Sequence, residues 1–329
     1  MSAAETPQLT VIVASHNRRE MLRRCLQSLA EQTADPAGFE VIVADDGSED
    51  GTAAMAEAFE APYALLVLPL PKRSHAAAQN SALEHARAPR VLLLDDDMIA
   101  SPGLVAAHIA AHAKDPTCIG IGAIEQRLVA ADDWYAHAHA HAWNAHYEEF
   151  EHRPAHWTDC YGANLSMPRE TFVAVGGVDL AVPTGKDLDL GLRLTRAGCT
   201  PTYLPDAHGV HDDQKRSKKM LADAARQGRM HLELCRRDPE RTADQLDWSA
   251  RSGAKELQLR RLLIALRVPP GLLARLGPLV PGGRDRELLW YSMVRRYAFW
   301  RGVRGDATRR EWSRVLRGEL VHGEGDASA

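Results

Sequence analysis

Three consecutive aspartates are the residues of this sequence that most directly suggest chemistry. Asp95, Asp96 and Asp97 follow the apolar run Arg90–Leu94, which is typical of a strand buried in a sheet. Because side chains alternate along a strand, Asp95 and Asp97 share one face while Asp96 points away. Adjacent carboxylates repel unless a cation lies between them, and a divalent ion with substrate phosphates meets that need. The triplet therefore predicts a metal–phosphate site, with a solvated acidic loop capping the next helix as the alternative.

A second acidic segment follows another apolar run. Asp45–Thr52 (DDGSEDGT) comes directly after Phe39–Ala44, so its carboxylates end a predicted strand. One interpretation is structural, with the glycines supplying unusual backbone angles and Asp50 or Thr52 capping the next helix. The other is functional, because a carboxylate here would accept the imide N–H of uracil or thymine. The residues alone leave both interpretations open.

The elements that must position these acids alternate through the first half of the chain. Short apolar runs and helical segments predict an α/β fold, a mostly parallel sheet with right-handed crossovers and ligands at the carboxyl ends of the strands. The predicted strands are Gln8–Ala14, Phe39–Ala44, Tyr63–Leu68, Arg90–Leu94 and Cys118–Ala123. The predicted helices are Arg18–Gln32, Asp50–Glu60, Ser74–Arg87, Leu104–Lys114 and Lys186–Ala197.

The charge of the chain is unevenly distributed. The 329 residues are 45% apolar and 26% charged, which fits a globular protein and excludes a wholly disordered one. Residues 1–250 hold 24 basic against 36 acidic residues, whereas 251–322 hold 16 basic against 6 acidic. We therefore expect a catalytic domain over 1–215, a basic helical extension over 216–322 and a flexible tail over 323–329.

Cysteine usage and hydropathy indicate a cytoplasmic protein. The five cysteines are odd in number, scattered and never in CxxC spacing, which favours reduced thiols over disulfides. The sequence shows no run of about 18 apolar residues and no basic-then-apolar leader, so neither a membrane span nor secretion is expected.

Eight short segments together resemble the family 2 glycosyltransferases, which have the GT-A fold. They occur in the order and at about the spacing of that family and cover roughly Gln8–His211, two-thirds of the chain. The segments are SHNR (Ser15–Arg18), VIVADDGSEDGT (Val41–Thr52), AAAQN (Ala76–Asn80), LLLDDDM (Leu92–Met98), GAN (Gly162–Asn164), VGGVD (Val175–Asp179), KDLDLGLRL (Lys186–Leu194) and PDAHGVH (Pro205–His211).

The resemblance implies a nucleotide-sugar half over about residues 8–100, an acceptor half over 101–215, and a role for individual residues. The family's DxD motif falls on Asp95 and Asp97, which with a late histidine, His211, would bind Mn²⁺ or Mg²⁺. The implied nucleotide-sugar contacts are Ala14, Ser15, Asn17, Arg18, Asp46, Asn80, Asp95 and Asp96, with Asp46 facing the base. The implied acceptor contacts are Trp157, Gly162, Asn164 and Asp179.

The resemblance also implies a general base and a stereochemical outcome. In inverting members, the base matches Asp187, which would take the proton of the attacking acceptor hydroxyl. The alternative is a structural role in a helix-capping box, with Thr184 as the cap and Asp187 in the first turn. The bound cation would stabilise the departing diphosphate, so no general acid is required.

Three positions depart from the family pattern. Lys186 replaces the glutamate before the base, Gln79 replaces the arginine before Asn80, and His16 replaces an aromatic residue. They keep open a catalytically degenerate homologue that binds nucleotide sugars without turnover. A metal-dependent nucleotidyltransferase is the other alternative, although the Gly-rich basic loop that it would need after the first strand is absent.

An Ala-rich segment carries an unusual set of histidines. On a helix, His137 and His141 share a face at four-residue spacing, a geometry that holds zinc when a third ligand is present. No pattern in the sequence supplies that third ligand. Acceptor contact and a packed or exposed helix are the alternatives. The other histidines of the segment are His139, His146, His152 and His156.

The basic C-terminal segment has three interpretations. Arg284–Arg304 combines arginines with five aromatic residues, and Leu257–Val268 is amphipathic. These helices could pack on the acidic body, lie on an anionic membrane or form a homodimer. No nucleic-acid motif accompanies the charge. The resemblance implies a nucleotide-sugar donor, for which the carboxylate Asp46 favours a UDP- or dTDP-sugar, and a saccharide, lipid-linked or small-molecule acceptor. The basic segment adds peripheral contact with the inner membrane face as an option.

Overall fold

The computed structural model describes residues 6–127, 133–182, 185–212, 216–237, 254–280 and 283–316. The chain divides into two compact units. The first comprises Met1–Arg127, Trp143–Ala181 and Gly185–Asp213, and the second comprises Leu128–Ala142, Val182–Thr184 and Gln214–Ala329. The described residues 133–142 thus belong to the second unit, while the catalytic domain expected over 1–215 and the helical extension expected over 216–322 stay predictions.

An eight-stranded sheet forms the centre of the first unit, in the order β3-β2-β1-β4-β7-β6-β8-β5. Strands β1 to β4 pair in parallel, while β7 runs antiparallel to β4 and β6. This mixed, mostly parallel sheet confirms the predicted fold class. The strands are β1 Leu9–Ser15, β2 Phe39–Asp46, β3 Ala64–Leu70, β4 Arg90–Asp95, β5 Met98–Ala100, β6 Cys118–Gln126, β7 Asn164–Pro168 and β8 Thr200–His211.

Helices cover both faces of this sheet. Alternate residues of β1 enter different cores, with Ile12 on one face and Val11 on the other, as a parallel sheet buried on both sides requires. Helix α4 has the predicted bounds, whereas α1 to α3 are shorter at both ends than the patterns suggest. The helices with residues in this unit are α1 Arg19–Ala30, α2 Thr52–Glu57, α3 His75–His85, α4 Leu104–Lys114, α5 Trp134–Glu148, α6 Arg169–Ala174 and α7 Lys186–Arg196.

The apolar run at Tyr63–Leu68 corrects one sequence expectation. It predicts a strand buried on both faces, but β3 lies at the edge of the sheet and Leu66 is 40% exposed. The strand also contains Pro69, which an edge strand tolerates because one side of its backbone needs no ladder partner. Hydrophobicity alone therefore overstated the burial of this strand.

The second unit is helical and has its own apolar core. Tyr291, Val294 and Tyr297 pack there with Tyr135 and Ala138 of α5. Its remaining helices are α8 Ser217–Arg237, α9 Ala254–Ala265, α10 Pro270–Leu276, α11 Gly283–Asp306 and α12 Arg309–Leu316. Aromatic residues of the C-terminal segment thus pack against other residues of the second unit.

Two glycines set the approach of α8 to α11. A Cβ atom added at Gly228 would lie 2.0 Å from the carbonyl oxygen of Phe299, and one at Gly302 would lie 1.8 Å from that of Ala225. Any larger residue at either position would push the helices apart. Within the described residues, no helix combines the length and apolar character needed to cross a membrane.

Candidate active site

The carboxyl ends of three parallel strands bring the polar residues together. In the sheet register, Ser15 of β1 lies beside Asp45 of β2, and Ala14 lies beside Asp95 of β4. The parallel ladder continues into these polar residues, so β1, β2 and β4 end one or two residues later than the apolar runs do. The acids of both sequence motifs thus meet at one edge of the sheet.

Asp95, Asp97 and His211 form the centre of this edge. One ligand atom from each lies within 4.8 Å of the other two. His211 comes from the end of β8, where pairing with Met98 of β5 fixes its position. Its Nε2 lies 2.9 Å from Asp97 Oδ1 and its Nδ1 lies 3.0 Å from Gln126 Oε1. Two carboxylates and an oriented imidazole are a suitable donor set for Mn²⁺ or Mg²⁺.

Arg18 neutralises part of the acidic cluster. Its Nη1 donates to Asp96 Oδ1 at 2.9 Å and to Asp97 Oδ2 at 2.6 Å, and Ser15 Oγ donates to Asp96 Oδ2 at 2.6 Å. Asp96 is thereby directed to Ser15 and Arg18, while Asp95 has no arginine or lysine within ion-pair distance among the described residues. The triplet argument did not anticipate that an arginine supplies one of the required cations.

The pKa values of the two buried aspartates move in opposite directions. Burial raises the pKa of Asp96 to about 6, although Arg18 and Ser15 favour its ionised form. Burial also opposes the charge of Asp97, but His211 and Arg18 outweigh it and hold that pKa well below its usual range. Burial likewise works against the charge of Arg18, yet the two carboxylates raise its pKa. The pair Arg18–Asp97 is therefore ionised at neutral pH.

The second acidic segment is held by its own hydrogen bonds. Asp46 accepts from Lys72 Nζ at 2.8 Å and from the Arg73 N–H at 2.7 Å. Burial opposes the charge of Asp46, but these donors lower its pKa. Asp45 accepts from the Ser48 N–H at 3.1 Å, and Asp50 accepts from that of Thr52 at 3.0 Å. The structural interpretation therefore holds for the turn, but the expected cap was wrong, because Gly51 occupies the N-cap position of α2 and neither Asp50 nor Thr52 does. Contact of Asp46 with a base stays a prediction.

Asn17 joins the loops that follow β1 and β2. Its N–H donates to Ser48 Oγ at 2.8 Å, and its Oδ1 accepts from the Glu49 N–H at 2.8 Å. The residue has a φ of 52°, in the left-handed region where asparagine is tolerated better than most residues. Gly47 has a φ of 70°, and a Cβ atom added there would lie 2.7 Å from the backbone nitrogen of Lys72. These contacts thus connect the loop after β1 to the loop after β2.

Asp187 is the second residue of α7 and is partly exposed. Its Oδ2 accepts from the Gly162 N–H at 3.4 Å, and its Oδ1 accepts from the Leu188 N–H at 3.1 Å. Burial raises its pKa, and the negative charge of Asp95 adds to the effect. Thr184 lies outside the described residues, and the residue at the N-cap position is Gly185, which provides no side-chain cap.

The remaining predicted contacts have structural partners. Asn80 donates from Nδ2 to the Val178 carbonyl and accepts from the Val178 N–H, both at 2.8 Å. Asn164 has no exposed surface, and its amide donates to the carbonyls of Ala123 and Ala207. Both side chains therefore connect backbone segments around the site. Trp157 is buried, Gly162 donates to Asp187, and Asp179 accepts from the Ala181 N–H.

Sequence reasoning missed a buried histidine pair beneath β7. His108 lies 2.8 Å from Ser166 Oγ through Nδ1 and 2.9 Å from Asn164 Oδ1 through Nε2, and His112 Nε2 lies 2.9 Å from the same hydroxyl. Burial lowers the pKa of His108 to about 4 and that of His112 to about 3. Their spacing of four residues on an apolar helix, AAHIAAHA, was the signal available in the sequence. Neutral imidazoles thus support the strand that carries Asn164.

Comparison with known proteins decides the family. The sequence model described as glycosyl transferase family 2 matches residues 10–174, half of the chain. The chain belongs to this family. The match includes Asp46 and Asp95–Asp97, whereas Asp187 and His211 lie beyond it. The roles of those two residues consequently rest on their own geometry and on the motif resemblance.

Several characterised or named proteins are similar to this family 2 member. A 120-residue segment, 36% of this chain and 30% of the other, is 40% identical to the uncharacterized glycosyltransferase YfnE of Bacillus subtilis. The validoxylamine A glucosyltransferase of Streptomyces hygroscopicus subsp. limoneus is 27% identical over 66% of this chain and 54% of its own. The pre-mycofactocin glycosyltransferase of Mycobacterium tuberculosis is 29% identical over 71% and 49%. The chain thus spans about half or less of the length of these relatives.

Solved structures show the same fold. The mannosyltransferase PcManGT from Pyrobaculum calidifontis, solved with GDP-Man and Mn²⁺, superposes with a TM-score of 0.58 over 90% of this chain and 87% of its own, at 20% identity. The TarS structure from S. aureus gives a TM-score of 0.50 over 88% of this chain and 54% of its own, at 15% identity. At these identities the likeness establishes the GT-A architecture of the family 2 chain.

Proposed function

We propose that this family 2 member transfers a sugar from a nucleoside diphosphate sugar to an acceptor hydroxyl, with inversion and with a divalent cation. The observation that carries the proposal is the joint position of two groups at the sheet edge. Asp95, Asp97 and His211 gather there, and Gly162 and Ala163 join Asp187 to the same edge, because Asp187 Oδ2 accepts from the Gly162 N–H at 3.4 Å and the Ala163 carbonyl accepts from the Asp95 N–H at 3.2 Å. A metal–diphosphate site next to a carboxylate base is the minimum that this reaction needs.

Asp95, Asp97 and His211 would hold the cation, Mn²⁺ or Mg²⁺. When bound, it would neutralise charge on the departing diphosphate. Asp95 is the accessible member, since its side chain is 31% exposed and has no arginine or lysine partner among the described residues. Arg18 and Gln126 orient the other two ligands before binding. The preformed arrangement limits the reorganisation that binding requires.

Asp187 would accept the acceptor's proton. The acceptor oxygen attacks the anomeric carbon, the bond from that carbon to the diphosphate oxygen breaks, and the hydroxyl proton passes to a carboxylate oxygen of Asp187. A raised pKa makes this carboxylate a stronger base than an ordinary aspartate. The N–H groups of Gly162 and Leu188 fix its orientation. A single displacement inverts the anomeric centre.

The donor and acceptor follow less directly from the residues. Asp46 supports a uridine or thymidine donor, provided that the base shares its carboxylate with Lys72 and the Arg73 N–H. Small molecules appear in the names of two relatives, validoxylamine A and pre-mycofactocin. We therefore place small-molecule hydroxyl acceptors among the candidates to test first.

Membrane contact through the second unit is also part of the proposal. Leu262 and Leu266 of the α9 region are 55% and 65% exposed, and Leu272 of α10 is 51% exposed, with Arg261, Arg267 and Arg275 nearby in sequence. Exposed leucines beside arginines suit an anionic lipid surface. Co-sedimentation with anionic vesicles would support this contact. Absence of binding, or a leucine-dependent dimer in solution, would contradict it.

The experiment that tests the proposed function is donor turnover with product analysis. The chain is incubated with UDP-, dTDP- and GDP-sugars, candidate acceptors, and either Mn²⁺ or a chelator, and the anomeric configuration of the product is read by NMR. We expect transfer with one donor class, with inversion, and only with the cation. Transfer with retention would refute the base assignment. Cation-independent turnover would refute the role given to Asp95 and Asp97.

A further inference from the structure

The second unit contains a carboxylate–histidine cluster that the proposed reaction does not use. His137 and His141 lie on α5, and Glu287 lies on α11. One ligand atom from each lies within 4.8 Å of the other two. The helical spacing that brings the two imidazoles together was visible in the sequence. The third ligand was not, because Glu287 reaches the pair only through the folding of the second unit.

The contacts of this cluster are those of an incomplete coordination shell. His141 Nδ1 is shielded from solvent and has no hydrogen-bond partner, and it lies 3.6 Å from Glu287 Oε2. That separation is too long for a hydrogen bond, but it is close to the ~3.3–3.5 Å between two ligand atoms that are each about 2.0–2.2 Å from a tetrahedral ion. The imidazole rings of His137 and His141 have centroids 4.4 Å apart. The three side chains thus lie close enough for one ion to contact a donor atom of each.

The described contacts of Glu287 include no basic side chain other than a histidine. No arginine or lysine whose side chain the structure describes lies within ion-pair distance of Glu287, whose side chain is only 21% exposed. A carboxylate in such a position is normally paired, because burial disfavours its charge. The adjacent turn of the two helices is fixed, since His139 Nδ1 lies 2.5 Å from Tyr291 Oη and the rings of Tyr135 and Tyr291 are 5.0 Å apart.

We propose that His137, His141 and Glu287 bind a zinc ion that links α5 to α11. Two imidazoles and one carboxylate favour a borderline transition-metal ion, whereas Mg²⁺ prefers oxygen ligands. Three protein ligands leave a fourth position for water, as in other tetrahedral zinc sites with two histidines and a glutamate. The site is chemically separate from the oxygen-rich cluster of Asp95, Asp97 and His211, and it does not depend on the proposed function.

Zinc binding to the full chain tests this proposal. The chelated protein is dialysed against Zn²⁺ in excess Mg²⁺, bound zinc is measured by inductively coupled plasma mass spectrometry, and Tm is recorded alongside. We expect one zinc per chain and a higher Tm. His141→Ala and Glu287→Gln should lower zinc affinity roughly tenfold or more, since even outer-sphere changes cost that much.

Two control variants separate this site from other zinc binding. His152→Ala removes an exposed histidine of the same segment, and Asp97→Asn disables the strand-end cluster. Both should retain one zinc per chain. Failure of the folded parent protein to bind zinc would overturn the proposal. So would an unchanged zinc affinity in Glu287→Gln, a near-isosteric change whose folding is checked by circular dichroism, or loss of zinc in Asp97→Asn alone.

Discussion

The two carboxylate–histidine clusters of this protein differ in how the fold neutralises them. In the first unit, Arg18 lies within 2.9 Å of two carboxylates of the strand-end acids. In the second unit, no arginine or lysine among the described residues pairs with Glu287, and the nearest imidazole nitrogen is 3.6 Å away. The first cluster therefore carries an internal counter-ion, whereas the second depends on His141 or on an added cation.

This difference separates two ways of building a metal site. Strand ends converge because parallel pairing forces them to, so a polar motif after an apolar run is sufficient to predict Asp95 and Asp97 at this edge, whereas His211 was expected only from the family resemblance. Helix faces meet only where the packing of distant segments brings them together. Substitutions in either region test this difference through turnover, stability and metal binding.

The largest expected effect is on turnover in the first unit. Asp187→Asn keeps the shape of the side chain and removes its basicity, so kcat should fall about 10²–10⁴-fold with little change in donor binding. Steady-state kinetics and nucleotide titration measure the two quantities. Asp206→Asn, at an exposed aspartate of the same unit, is the matched control and should retain turnover. Near-normal kcat in Asp187→Asn would remove this residue from the mechanism.

The same substitution tests the pH dependence. The ionised, basic form of Asp187 is lost as pH falls. Because the pKa of Asp187 is raised, the decrease of kcat on the acid side of its pH profile should occur above the ordinary aspartate range near pH 4. A limb at or below that range would contradict the burial argument. The residual activity of Asp187→Asn should lack this limb.

Removal of the internal counter-ion should destabilise the first unit. Arg18→Gln leaves the buried Asp96 without a cation and Asp97 with His211 alone, so the free energy of unfolding in chelator should fall by about 3 kcal/mol. Mn²⁺ should restore part of the loss. Urea denaturation measures both effects, and the exposed neighbour Arg19→Gln serves as control. An equal loss in both variants would show that Arg18 does not neutralise the cluster.

The buried imidazoles beneath β7 should make stability depend on pH. The lowered pKa values of His108 and His112 mean that the folded state binds fewer protons than the unfolded state below pH 6.5. Their contribution is present above pH 6.5 and is lost as pH falls towards 4. Between pH 6.5 and 5 the free energy of unfolding should decrease by about 1.6 kcal/mol for each histidine.

Substitution of His112 isolates that contribution. His112→Gln should flatten the dependence of unfolding free energy on pH, whereas His85→Gln, at an exposed site, should leave the slope unchanged. Chemical denaturation at a series of pH values gives the slopes. Identical slopes in all three proteins would show that these buried imidazoles titrate normally.

The smallest expected effect distinguishes the second cluster from the first. In chelated protein, Glu287→Gln should change the free energy of unfolding by less than about 1 kcal/mol, because a partly exposed contact at 3.6 Å contributes little. Urea denaturation compares this variant with Arg18→Gln. A loss as large as that of Arg18→Gln would mean that Glu287 already has a strong internal partner.

The sequence predicted the acids of the site better than their partners. Asp95 and Asp97 could be predicted because a buried strand ends at them, and Asp187 because a family motif surrounds it. The contact of Arg18 with Asp97 and that of Asn164 with His108 could not be predicted, since each depends on distances between side chains from separate elements. The exposure of β3 was misjudged for a similar reason, because an apolar run does not reveal whether its strand lies at a sheet edge.

Nucleotide binding tests the central claim most directly. Tm is measured for the parent protein and Asp97→Asn with UDP, dTDP and GDP, with and without Mn²⁺. We predict that at least one nucleotide raises the Tm of the parent protein only when Mn²⁺ is present, by a stabilisation of about 2.7 kcal/mol at a hundred times Kd, and that Asp97→Asn loses this response. No response to any nucleotide, or an equal response in Asp97→Asn, would contradict the account.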